Sequence, residues 1–190
     1  MAVEKIQFNN HYKLAGLHAP FSASQSSWLR YSDEKAVESY KNKKAKERGT
    51  RLHAWAKETI DLGIKQPRSS KTLYAYVNDA IGFGMRTEQV LYYSDHFFGT
   101  ADTICFRDNV LRIHDLKTGK IDADMEQLYV YAALFCLEYR IDPNSISYEL
   151  RLYQNDEVEY SKPTGEDIIP IMEKIIHLDK LLDKIDYEEV

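Results

Sequence analysis

Three residues in the stretch GTADTICFRDNVLRIHDLKTG, Gly99 to Gly119, have types and spacing suited to chemistry: Asp102, Asp115 and Lys117. Two short runs of alternating apolar residues are joined by Asp108-Asn109, and each run carries an aspartate where a neutral residue would pack more easily. If Asp108-Asn109 is a two-residue turn, where Asn and Asp tolerate the positive φ required, Asp102 falls directly across from Asp115. The two Cβ atoms then lie about 4.5–5.5 Å apart on one face. Like charges so placed repel, and half-burying them adds a desolvation cost. A bound Mg²⁺ or Mn²⁺ removes both penalties, because hard cations take carboxylate oxygens. Strand alternation points Leu111, Ile113, Asp115 and Lys117 one way and Arg112, His114 and Leu116 the other. The Lys117 ammonium thus projects beside the paired acids, where it can stabilise phosphate charge or position an attacking water. The plain alternative is a surface hairpin in which the three residues form a charge ladder, and a turn of another length would break the register.

The elements that must hold these residues follow from periodicity. Serines after Pro20 start a helix over 20–31, and a longer helix covers about 33–62, with Ala36, Val37, Tyr40, Leu52, Ala56 and Ile60 as its candidate core. Residues 73–83 form a further short helix. After Gly84 the pattern changes to period two, and TEQVLYYS, HFFGTADTICF and VLRIHDLK read as a three-strand meander. ADMEQLYVYAALFCLEYR is a helix, with Asp124 and Gln127 at capping-box spacing. SISYELRLYQ gives a fourth strand, extended by EVEYSK, and apolar residues at helical spacing over about 165–185 give a last helix with Pro170 near its first turn. The expectation is one α/β domain over 1–190: N-terminal helices 20–83, a sheet region 84–120, a helix 122–140, and a strand and helix over 145–186.

Composition sets the class. The 190 residues are 44% hydrophobic with fourteen Tyr and seven Phe, enough for a core and against disorder. No apolar run reaches the roughly 18 residues of a membrane span, so no membrane partner is expected. MAVEKIQFNNHYKL lacks the apolar core of a signal peptide. Cys105 and Cys136 match no zinc spacing and read as small buried hydrophobes, so a reducing cytoplasmic compartment is expected. The net charge of −5 is unevenly spread: Lys41, Lys43, Lys44, Lys46, Arg48 and Arg51 cluster around one acid, Glu47. Such a run is either a solvated helix face or a phosphate-contacting patch.

Gly99-x-x-Asp102 followed by Asp115-Leu116-Lys117-Thr118-Gly119 resembles the PD-(D/E)xK nuclease superfamily, in its RecB-like branch with the lambda-type viral exonucleases. Gly49-Thr50-Arg51-Leu52-His53 is similar to that branch's upstream glycine-to-histidine motif. Gln127-Leu128-Tyr129-Val130-Tyr131 is similar to its Q-x-x-x-Y motif, and Phe21 to Ser24 to its N-terminal serine segment. The likeness covers roughly residues 20–135, and the motifs are jointly specific in this order.

The resemblance implies a restriction-endonuclease-like core: a small mixed sheet of antiparallel meander, crossover helix and further strand, flanked by helices. It implies Asp102, Asp115 and His53 as side-chain ligands of Mg²⁺ or Mn²⁺, with the Leu116 carbonyl completing the set and Lys117 as the catalytic lysine. Gln127 and Tyr131 would contact DNA or support the site, and Lys43, Lys44, Lys46, Arg48 and Arg51 would meet phosphates. Glu88 is a candidate for a metal contact through water, or else an ordinary exposed strand Glu. Two cysteines cannot hold the iron–sulfur cluster of some relatives. By analogy the expected activity is an exonuclease on DNA ends, single- or double-stranded, in recombination, repair or viral DNA processing, in a bacterium or virus-infected cell. A separate motor, recombination or single-strand-binding protein and a homo-oligomer are the partners it suggests. A catalytically silent nucleic-acid-binding module, an endonuclease and an RNA hydrolase are the alternatives.

Overall fold

A computed structural model describes residues 10, 12–14, 19–119 and 123–188. Of the stretch MAVEKIQFNNHYKL read for a leader, residues 1–9 and 11 lie outside the described residues, as does the expected sheet-to-helix boundary at 120–122. The chain divides into two compact units, Met1–Glu47 and Arg48–Val190.

In the first unit, the expected helix over 20–31 is replaced by a 3₁₀ turn at Ser26–Arg30. Local side-chain bonds explain the difference: the Ser22 and Ser24 hydroxyls bond each other at 2.8 Å, and the Trp28 indole donates to the Ser22 carbonyl at 2.9 Å. Such bonds offer the backbone an alternative to a helix. Helix α1 (Asp33–Asp61) starts with Asp33 and Glu34, suited to the positive end of its dipole. Val37 and Tyr40, expected in a core, are exposed. Charged residues fill every turn of this part of the helix and leave no continuous apolar stripe. Lys43, Lys44 and Lys46 lie here, and Lys44 pairs with Glu47 at 2.9 Å.

The second unit holds the rest of α1, helix α2 (Thr72–Phe83) and the strands β1 (Arg86–Ser94), β2 (Phe97–Arg107) and β3 (Val110–Leu116). Helix α3 (Glu126–Tyr139), strands β4 (Ser147–Gln154) and β5 (Glu157–Ser161), and helix α4 (Gly165–Glu188) follow. The five strands form one sheet in sequence order. The first three make the antiparallel meander, β3 and β4 are parallel across the α3 crossover, and β5 returns antiparallel. One core cluster joins Leu91, Ala101, Leu111, Ile113 and Leu150 to α3 and α4. A second joins Ala56 and Ile60 of α1 and Tyr76, Val77 and Ala80 of α2 to Leu116 and Tyr153.

Two local expectations change. Helix α3 has Met125 as its N-cap with no capping side-chain bond, and Asp124 accepts from Glu126 N at 3.1 Å. No capping box closes because the Gln127 amide is bound elsewhere, to Lys117 and Tyr131. Pro170 is the sixth residue of α4, in its second turn, and it is exposed there, so water can reach the carbonyl its missing N–H leaves open.

Candidate active site

The β2–β3 turn is as the spacing requires. Asp108 and Asn109 both have positive φ, 54° and 58°, and the partners run from Arg107 opposite Val110 to Thr103 opposite His114. Asp102 and Asp115 come next, one step beyond the last partners of the ladder. Here β2 departs from regular alternation. Ala101 and Thr103 would share a face in an ideal strand, yet Ala101 packs with α3 while the Thr103 side chain meets the Tyr76 hydroxyl of α2. On β1 the same step falls between Thr87, partnered with Thr103, and Gln89, partnered with Ala101. The residue between them is Glu88, at φ 46°, opposite Asp102. A non-glycine held there marks local strain of a kind that clusters at functional sites.

That irregularity lets one carboxylate serve two elements. Asp102 Oδ2 accepts the Leu116 backbone N–H at 3.0 Å and lies 3.4 Å from His53 Nδ1 on α1. The hydrogen-bonding Asp102 carboxylate raises the half-buried His53 pKa above its ordinary value. Asp115 is 2% exposed. Burial, reinforced by the Asp102 charge, pushes its carboxyl above the usual carboxylate range, against the pull of Lys117. The Lys117 ammonium sits 2.9 Å from Asp115 Oδ2 as an ion pair without hydrogen-bond alignment, so that buried oxygen has no hydrogen-bond donor among the described residues.

From Lys117 a chain of bonds runs onto α3. The ammonium donates to Gln127 Oε1 at 2.7 Å, Gln127 Nε2 to the Tyr131 hydroxyl at 2.9 Å, and that hydroxyl to the Thr100 carbonyl at 2.7 Å. Burial raises the Tyr131 pKa, which keeps its hydroxyl a donor. Two glycines give these parts room. A Cβ on Gly49 would lie 2.7 Å from Thr118 Oγ1, and one on Gly99 would lie 2.9 Å from Tyr131 Cε1.

The structure thus brings together His53, Asp102, Asp115, Lys117, Gln127 and Tyr131, with Leu116 between the second acid and the lysine. Glu88 and Lys57 line a small cleft with His53 and Asp102. Arg48 and Arg51 are exposed on α1, and Arg48 lines a cleft shared with Lys117. The candidate ligands are not drawn tight. Among the described residues, the group whose ligand-type atoms all lie within 4.8 Å of one another is instead His96, Asp179 and Asp183.

The surroundings of two histidines do not follow from strand alternation. His96 Nδ1 lies 3.1 Å from Asp179 Oδ1 and its Nε2 lies 2.9 Å from Asp186 Oδ2, residues more than eighty positions away that no spacing reveals. His114 points away from the acids, as alternation requires, but it is fully buried beside Phe83 and Tyr153. Burial, with the charges of Arg151 and Arg112, pulls its pKa down to about 3, and its Nε2 has no partner among the described residues. Cys136 is buried and Cys105 partly so, and both are free thiols raised in pKa by burial.

No protein-family model, no curated protein and no solved structure matches the chain.

Proposed function

We propose that this chain is a metal-dependent DNA nuclease, an exonuclease working at DNA ends, with a restriction-endonuclease-like core. The observation that carries the reading is Asp115: a carboxylate 2% exposed beside a second one, with a raised pKa and one oxygen met, among the described residues, by the Lys117 ammonium alone as an ion pair at 2.9 Å. A divalent cation satisfies that oxygen and both charges at once. Asp102, Asp115 and His53 are hard oxygen and nitrogen donors that suit Mg²⁺ or Mn²⁺, with the Leu116 carbonyl beside them. When bound, the ion would acidify a water and take up charge on the phosphodiester oxygens. Lys117 holds an ammonium where phosphate charge develops, and Gln127, fixed by Tyr131, aims it. Leu116 N–H orients Asp102.

A catalytically silent nucleic-acid-binding module of the same fold is the second reading. The loosely gathered ligands and the pairing of Lys117 with Asp115 favour it. The deciding experiment incubates end-labelled linear and closed circular DNA with the protein in Mg²⁺, Mn²⁺ or EDTA, alongside Lys117→Ala and Asp115→Asn. Metal-dependent loss of linear DNA alone, absent in both variants, is the expected result. Cutting of the circle means an endonuclease, and no cutting by folded protein means the silent module.

A further inference from the structure

Lys117 also lines a cleft of about 430 Å³ whose walls include Arg48, Lys71, Tyr74, Thr118 and Asp156. Three of these side chains are cations and one is an acid, and the acid accepts the Thr72 backbone N–H at 3.3 Å. The cleft is therefore cationic although the chain as a whole carries −5. It shares Lys117 with the candidate active site, since that residue lines the cleft and its ammonium lies 2.9 Å from Asp115 Oδ2. Its wall carries an aromatic ring: Tyr74 is partly buried, tilts against Trp55 with centroids 6.2 Å apart, and has the Lys71 ammonium 5.8 Å from its own centroid.

A groove that pairs cations with an aromatic face is the recurring solution for unpaired nucleic acid: charge tracks the phosphates, and a ring takes a base without reading its identity. The volume falls in the range that encloses one small organic molecule, a nucleotide unit rather than stacked base pairs. We propose that this cleft seats one unpaired nucleotide of a DNA single strand, next to the phosphodiester presented to Asp102, Asp115 and Lys117. The inference rests on the nuclease reading for its neighbour, and it makes single-stranded DNA the substrate class. Arg48 and Lys71 hold the phosphate, Thr118 supplies a hydroxyl at the Lys117 end, and Tyr74 carries the base.

Fluorescence anisotropy with a labelled 12-nucleotide thymidine oligomer, run in Ca²⁺ and in EDTA at several salt concentrations, tests the cleft without requiring cleavage. The expected results are binding of the single strand at least about fivefold tighter than of a blunt duplex, and a roughly fivefold or greater weakening in Tyr74→Leu but not in Tyr74→Phe. Lys71→Ala weakens binding and also flattens the dependence of log Kd on log salt by about 0.7, which a merely structural residue would not do. Lys71 is exposed at the start of α2, so that variant keeps the test open even if Tyr74→Leu fails to fold. Equal or tighter duplex binding, no binding of the single strand, or an affinity and salt slope unmoved in Lys71→Ala overturns the proposal. Mg²⁺-dependent cleavage of the same oligomer is scored separately. Cleavage with KM unmoved by Lys71→Ala removes the cleft and keeps the nuclease. Single-strand binding lost in the variants, with no cleavage by wild type, keeps the cleft and removes the nuclease.

Discussion

Gln127 accepts a 2.7 Å hydrogen bond from the Lys117 ammonium, joining the helix after the sheet to the residue just past the end of β3. The same amide donates to Tyr131, so its orientation is set with its oxygen toward the lysine. The ammonium is thereby held at one place instead of sweeping a cone on its four-carbon stem.

Replacing the lysine and replacing its guide therefore have different consequences. On the nuclease reading, Lys117→Ala is expected to lower kcat by about 10²–10⁴ with Mn²⁺ affinity nearly unchanged. On the same reading, Gln127→Leu is expected to lower kcat by roughly tenfold and Gln127→Glu by less, because an acceptor for the ammonium remains. Steady-state cleavage of an oligonucleotide, with Mn²⁺ binding by calorimetry, separates the two.

Asp115 costs the metal-free protein stability, since a buried carboxylate faces a like charge. Asp115→Asn is expected to melt about 2–4 °C above wild type in EDTA, equivalent to ~1 kcal/mol for a chain of this size. Wild type is expected to gain stability with Mn²⁺ through binding to the native state alone, and the variant to gain none. Thermal melts with and without metal check both.

His114 predicts the shape of the acid limb. Its folded pKa of about 3 lies below its ordinary 6.5, so the unfolded chain takes up the proton first as pH falls. The stability it confers is complete above 6.5, declines between 6.5 and about 3, and levels off below. The raised pKa of Asp115 works in the opposite direction, so the variant comparison isolates the histidine. His114→Phe, which keeps a ring against Phe83, is expected to flatten the decline by on the order of 4 kcal/mol. Urea melts across pH 3–7 measure it.

Gly99→Ala drives a methyl into the Tyr131 ring, 2.9 Å away, and the ring must give way. The expected cost is about 1–3 kcal/mol of stability together with loss of activity, because the Thr100 and Gln127 bonds of Tyr131 shift with it. Tyr131→Ala relieves the clash, so the double variant is less destabilised than the sum of the two singles, which a double-mutant cycle reads directly.

Much of this arrangement is legible in the residues themselves. Asp108-Asn109 names its own turn, and the turn carries the register from Arg107 opposite Val110 to Thr103 opposite His114, one step short of Asp102 and Asp115. Gly49 and Gln127 stand at helical distances from His53 and Tyr131, so their faces can be read from spacing. Glu88 is different: its type gives no hint of a positive φ, and the slip in alternation there depends on two faces of the sheet being claimed by different helices. His114 likewise reads as an ordinary strand residue until β4 and α2 are laid against it. The serines before Trp28 favour a helix start by propensity, and their own local bonds, Ser22 to Ser24 and Trp28 to the Ser22 carbonyl, decide otherwise.

The six side chains of the candidate site come from α1, β2, the end of β3 and α3, so contacts spanning much of the second unit must form before any of them has its partners. Ordering elements that far apart in sequence is slow relative to local helix and hairpin formation. A chain emerging from synthesis with only its hairpin formed holds two repelling acids and an unaimed lysine. On the proposed nuclease reading, hydrolytic competence would arrive last, with the docking of α1 and α3, and the unfinished protein would spare the nucleic acid around it.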